Sequence, residues 1–219
     1  MNITSGPEVK RDAARRRVAA LARRGYHGAM AKRATPKRRA PAADTAARLV
    51  AAAAREFNQH GFDGTDSNRI ARRAGFAPQT FYRWFRDKTA IFLAVYRAWE
   101  DEEERVIGTL LAERAPMRKL VDAVLAHHRA HRLFRRSLRE LALVNEAVRQ
   151  ARTESRLRQI EATRRWAGPG ARPPAEIAAL VLQIERLCDA VAEGELAELG
   201  ADEAAARDAI ISLLRQARR

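Results

Sequence analysis

Thr45 to Tyr96 reads TAARLVAAAAREFNQHGFDGTDSNRIARRAGFAPQTFYRWFRDKTAIFLAVY, and its spacing predicts three short helices, the last two in helix-turn-helix order. Ile70-Ala71 leads to Gly75 four residues after the alanine, and Phe81 lies six residues beyond the glycine. That motif requires a small residue where two helices cross and a glycine able to take positive φ in the turn. It also requires an apolar plug in the second helix. Pro78 adds a pre-set φ at the first turn of that helix.

Working outward, Leu49, Ala53 and Phe57 recur every four residues and mark the inward face of a first helix. It is expected to start near Asp44 or Thr45 and to stop before Gly61. Asp66 or Thr65 is placed to cap a second helix reaching about Arg73, with Ile70 and Ala74 inside and Asn68, Arg69, Arg72 and Arg73 outside. The third helix, Pro78 to about Phe85, turns Phe81 and Phe85 inward and Gln79, Thr80 and Arg83 outward. Those outward side chains suit base edges in a major groove: Gln on adenine N6/N7, Arg on guanine O6/N7, a Thr methyl on the thymine methyl. Tyr82 and Trp84 each carry a donor on an aromatic body and suit phosphate oxygens. Asp87 is expected to cap the next helix, whose first turn would offer Lys88 and free N–H groups to an anion.

The spaced set Phe57, Gly61-Phe62, Thr65, Ile70-Ala71, Ala74-Gly75, Thr80, Tyr82, Phe85 and Lys88 resembles the DNA-binding domain of TetR-type bacterial transcriptional regulators. The resemblance spans about fifty residues. It implies phosphate contacts by Tyr82 and Lys88, and it bounds the helix-turn-helix motif at residues 67–86. Thr65, Asn68 and Arg69 complete the expected DNA-contacting set. The chain departs from the family pattern at Asp66, Ser67, Ala77 and Trp84. Ala77 in particular offers no side-chain cap, which weakens the recognition helix by roughly 1 kcal/mol unless Pro78 offsets it.

At 219 residues and 47% apolar content the chain can bury a substantial core. The net charge of +15 is concentrated at the start: residues 1–41 hold 12 Lys/Arg against 2 acids, whereas residues 101–219 hold 21 against 19. A basic block of that kind neutralises phosphates without reading sequence. Residues 1–41 are read as a basic, flexible extension. Because Met30 is itself followed by AKRATPKRRAP, residues 1–29 read as an addition upstream of a conventional basic arm. A single cysteine, Cys188, excludes an intrachain disulfide, and no Cys/His cluster has zinc-ligand spacing. His127 and His131 share a helix face, but two ligands in a basic surround do not make a metal site. No cofactor is expected. No apolar run approaches a membrane span, so a cytoplasmic location is expected.

The expected architecture is all-α: a helix-turn-helix domain over 42–91 and a helical effector-binding and dimerisation domain over 92–219. Helices are expected from Lys88 to about Glu113, Met117 to His131, Arg132 to about Trp166, Pro174 to about Leu199 and Ala201 to Arg218. In TetR-type proteins the last two long helices pair with those of a second subunit. The resemblance therefore assigns Leu180, Ile184, Leu187, Val191, Ile210 and Leu214 to a dimer interface. Tyr96, Trp99, His131, Phe134 and Trp166 are candidates for an effector pocket. The implied function is a homodimer that binds a palindromic DNA operator as a repressor and leaves it when a small-molecule effector binds. A nucleoid-type protein coating DNA without sequence preference is the rival reading. An enzyme in the helical pocket would lack a nucleophile with its base, paired carboxylates or a phosphate loop.

Overall fold

A computed structural model describes residues 42–218, which are helical with no strand among them. The basic leading segment, residues 1–41, lies outside the described residues. Two compact units meet between Asp101 and Glu102, inside one long helix.

In the first unit, α1 (Ala42–His60), α2 (Ser67–Arg73) and α3 (Pro78–Tyr82) precede α4 (Lys88–Ala112). Leu49, Ala53 and Phe57 of α1 are fully buried, as their four-residue spacing predicts, and so are Ile70, Ala71 and Phe81. Phe92 of α4 packs edge-on to Phe57 at 5.0 Å and to Phe62 at 5.3 Å between centroids. Edge-to-face rings add to the burial itself. This ring cluster ties the start of α4 to the first unit, which runs to Asp101.

The connections are fixed by backbone geometry and by caps. Gly64 comes so close to the end of α1 that a Cβ there would stand 2.1 Å from the His60 carbonyl oxygen. Asp66 caps α2 by accepting from the Arg69 N–H at 2.8 Å. At the other end of α2, Gly75 sits at φ +78°; its N–H reaches the Arg72 carbonyl and the Phe76 N–H reaches that of Ala71. This is the paired closure that satisfies the last carbonyls of a helix and needs a residue free to take positive φ. Arg48 clamps the turn from α1, donating to the Ala74 carbonyl at 2.8 Å with its guanidinium over the Phe76 ring.

The second unit contains the end of α4, then α5 (Met117–Ala130), α6 (Arg132–Val144) and α7 (Glu146–Ala167). A short 3-10 turn (Gly168–Gly170) follows, then α8 (Pro174–Glu193), α9 (Glu195–Glu198) and α10 (Glu203–Gln216). Helix α8 is central and packs on α5, α6, α7 and α10. Two of the helices expected from sequence are interrupted. Asn145 adopts an extended conformation (φ −125°, ψ 114°) and caps α7 by accepting from Val148 N–H, so Arg132 to Trp166 is two helices rather than one. Gly194 takes the left-handed conformation and ends α8.

The core of this unit joins Val121 and Leu125 of α5 to Cys188 of α8 and Ile210 of α10. Ile184, Leu187, Val191 and Leu214 pack against it and stay partly exposed. Leu180 and Ile210, assigned from sequence to a dimer interface, are buried within the single chain. Their apolar character serves the chain's own packing.

Candidate nucleic-acid interface

Helix α3 has five residues; Ala77 gives it no side-chain cap, and Pro78 occupies its first turn. The helical hydrogen bonding nevertheless continues in a tightened turn, with Trp84 and Phe85 N–H groups both on the Phe81 carbonyl. Arg83 therefore keeps right-handed helical dihedrals (φ −71°, ψ −22°) beyond the last residue of α3. Phe81 and Phe85 are buried, Gln79 and Arg83 are exposed, and Thr80 is half-buried. The inward and outward sets thus separate as their spacing predicts. Tyr82 and Trp84, 58% and 37% exposed, flank this face.

The α2 side of the motif departs from the expectation. Asn68 and Arg69 are exposed, but Thr65 is buried and its hydroxyl donates to Glu56 Oε2 at 2.9 Å. The Thr65 side chain is a packing element and is not available to DNA. Lys88, expected to contact phosphate, also has partners within the chain: its Nζ donates to the carbonyls of Phe62 at 2.7 Å and Thr65 at 2.9 Å. Two of its three ammonium protons hold the loop between α1 and α2. Burial pulls the Lys88 pKa below the ordinary lysine value, with Asp63 and Asp66 acting in the opposite direction. Asp87 caps α4 by accepting from the Ala90 N–H at 2.7 Å, as expected.

Glu56 did not figure in the sequence reading. It is 2% exposed, yet Thr65, Arg69 (Nε, 2.8 Å) and Arg73 (Nη1, 2.5 Å) all reach its carboxylate. Burial alone would raise its pKa. The hydrogen bonds from Arg73 and Thr65 and the charges of Arg69 and Arg73 outweigh that and hold it below the usual carboxylate range. A signal was present: Glu56 lies seven residues after Leu49, on the stripe that carries the apolar side chains.

The residues expected to line an effector pocket are divided between the two units, and each group is described within its own unit. Tyr96 and Trp99 belong to the first unit, are buried, and stack at 6.2 Å between centroids. His131, Phe134 and Trp166 belong to the second unit. Phe134 is core, the His131 ring lies 4.7 Å from that of His127, and Arg218 covers the Trp166 ring at 4.0 Å. One depression in the second unit, about 320 Å³, is lined instead by Arg132, Leu133, Arg136, Glu193 and Glu195.

The same unit contains a buried ionic cluster. Asp189 meets His128 Nδ1 at 3.1 Å, Arg135 Nε at 3.1 Å and Arg139 Nη1 at 2.7 Å, while His128 Nε2 lies 3.3 Å from Glu103. Glu185 accepts from Arg135, Arg152 and Arg156. Burial favours protonation of all three carboxyls, but the hydrogen-bond donors and guanidinium charges facing them prevail. His128 and Arg135 hold Glu103 and Asp189 below the normal range, and Arg135, Arg152 and Arg156 push Glu185 down to about 2.

The first unit is a helix-turn-helix DNA-binding domain by its capped α2, positive-φ turn and outward-facing third helix. Residues 49–95 match the family described as "Bacterial regulatory proteins, tetR family". A curated relative, the uncharacterized HTH-type transcriptional regulator YdgC of Bacillus subtilis, is 35% identical over 66 residues. That match covers 30% of this chain and 34% of the relative, so the chain spans only about a third of its length. A transcriptional regulator from Rhodococcus sp. Rha1 has a similar fold, with a TM-score of 0.62 and 16% identity, over 80% of this chain and 98% of that one. A TetR family transcription regulator from Marinobacter aquaeolei VT8 is similar with a TM-score of 0.52 and 17% identity, over 78% and 94%. These structural likenesses extend the fold, though not a ligand, into the second unit. Among the described residues no helix is long and apolar enough to cross a membrane, and no group of three or more His, Cys, Asp or Glu is placed to hold a metal ion.

Proposed function

We propose that the chain is a transcriptional regulator that reads a palindromic operator as a homodimer and represses from it until a small molecule binds the second unit. The observation that carries this reading is the separation on α3, where Phe81 and Phe85 anchor a segment whose Gln79, Thr80 and Arg83 are open to solvent or partly so. Two such segments must reach successive major grooves, about 34–36 Å apart, which requires a fixed pair of subunits. The half-exposed Ile184, Leu187 and Val191 of α8 and Leu214 of α10 supply an apolar surface for that pairing. An effector acts by binding better to an arrangement in which the two helices no longer fit those grooves. A cytoplasmic location goes with this reading.

Selection from random duplex DNA, followed by titration and sedimentation of the complex, tests this reading. Enrichment of an inverted repeat bound by two chains supports it. Sequence-indifferent binding would favour the DNA-coating alternative, to which the +15 net charge lends weight.

A further inference from the structure

Arg69 and Arg73 stand four residues apart on α2, a spacing at which like charges repel on an isolated helix. Here one buried carboxylate lies between them. Arg69 Nε reaches Glu56 Oε2 and Arg73 Nη1 reaches Glu56 Oε1, so each oxygen of the carboxylate holds one guanidinium. Outer groups complete the arrangement: Arg69 Nη2 lies 2.6 Å from His60 Nε2, and Arg73 donates to Gln59 Oε1 at 2.8 Å. Thr65, just before the α2 cap, ties the same carboxylate to the start of the helix. The side chains of Arg69 and Arg73 are 44% and 29% exposed, so the pair is anchored from beneath and open above.

Resting on the operator-binding reading, we propose that Glu56 is a positioning residue that sets DNA specificity by holding Arg69 and Arg73 as one fixed phosphate-contacting pair. A guanidinium has five N–H donors, and the contacts to Glu56, His60 and Gln59 leave several on each arginine for phosphate oxygens. Two free arginines would follow any backbone at the cost of side-chain freedom, adding sequence-indifferent affinity. The anchored pair carries one net positive charge in place of two. It meets a phosphate only where the duplex backbone matches the position fixed by α1, and such contacts set register for the bases read by α3. The carboxylate thus lowers indiscriminate attraction and preserves the positioned contact.

The experiment compares a duplex enriched by selection with a scrambled duplex of equal length, titrated by fluorescence anisotropy at several salt concentrations. Glu56→Gln should lower the ratio of operator to scrambled affinity by about tenfold and steepen the salt dependence on scrambled DNA by about one unit of log–log slope. Equal weakening on both duplexes, or an unchanged ratio and slope, would overturn the proposal, since a merely structural Glu56 gives the first and an idle one the second. Should Glu56→Gln fail to fold by circular dichroism, the double substitution Arg69→Lys with Arg73→Lys decides. It retains both charges but loses the fork, so the ratio should fall with the slope unchanged, and a retained ratio refutes the positioning role. Wild-type protein that fails to discriminate between the duplexes sinks the operator reading and this inference together. Discrimination by the wild type with an unaffected Glu56→Gln sinks only the inference.

Discussion

The ammonium of Lys88 lies 4.0 Å over the ring of Phe62 and donates to that same residue's carbonyl at 2.7 Å, from 26 positions further along the chain. A second bond to the Thr65 carbonyl makes Lys88 the tie between the start of α4 and the loop that introduces α2.

Lys88→Ala is therefore expected to destabilise the first unit by about 1–3 kcal/mol, because two partly buried carbonyls lose their charged donor. The slope of DNA binding against salt should barely change. Urea unfolding of wild type and variant, with the salt series alongside, checks both statements; a slope reduced by one at unaltered stability would return Lys88 to the phosphate-contacting set.

Gln79→Ala and Arg83→Ala remove exposed side chains from the recognition segment and leave Phe81 and Phe85 in place. Each should cost about 1–3 kcal/mol on the selected duplex and relax its base preference, without lowering the melting temperature. Retention of full affinity and preference by both variants would show that another surface reads the bases.

Cys188 is buried, and its thiol is pushed up to about 12 by that burial, with the charge of Glu103 adding to the effect. The thiolate is the reactive form, so folded protein near neutral pH should resist a disulfide reagent such as DTNB and react at one site per chain once unfolded. Rapid labelling of the native protein would contradict the packing of α8 on α5.

The ionic cluster predicts a pH window. Glu185 has its folded pKa lowered to about 2, so the stability it contributes is complete above its unfolded value near 4.3 and is lost as pH falls toward 2. Asp189 and Glu103 are lowered as well and act in the same direction. Wild-type stability should decline through that range, and Glu185→Gln should flatten the decline while being less stable at neutrality. Parallel curves for the two proteins would mean that Glu185 is not held by its arginines.

The two halves of the first unit differ in how openly the sequence states them. Periodicity identified Leu49, Phe57, Ile70 and Phe81 as core because apolar residues have one place to go, and Gly75 marked its turn because few residues accept φ +78°. Polar groups have more than one use. Thr65, Arg69 and Lys88 carry the same chemistry whether they face a phosphate or a buried partner. Only the three-dimensional course of α1 assigns Thr65 to Glu56 and Lys88 to a loop carbonyl. Asn145 was equally concealed within a helical pattern, although Asn followed by Glu is a competent helix start. The cluster in the second unit left a fainter trace. Arg135/Arg139, Arg152/Arg156 and Glu185/Asp189 are like-charged pairs four apart, unfavourable on a lone helix and stable when a neighbouring helix brings the opposite sign.

The brevity of α3 bears on how such a protein changes its target over generations. Five residues are held to the core through one fully buried ring, with Phe81 occupied inside and Gln79 outside. Exposed positions without a structural partner accept substitution at little thermodynamic penalty. On the proposed reading, drift at positions 79 and 83 would redirect the domain to a different duplex without passing through an unstable intermediate. Glu56, buried on another helix, is not among the positions that such drift would change. Paralogous copies of this chain could diverge in the sequences they recognise while sharing one scaffold and one way of holding the backbone.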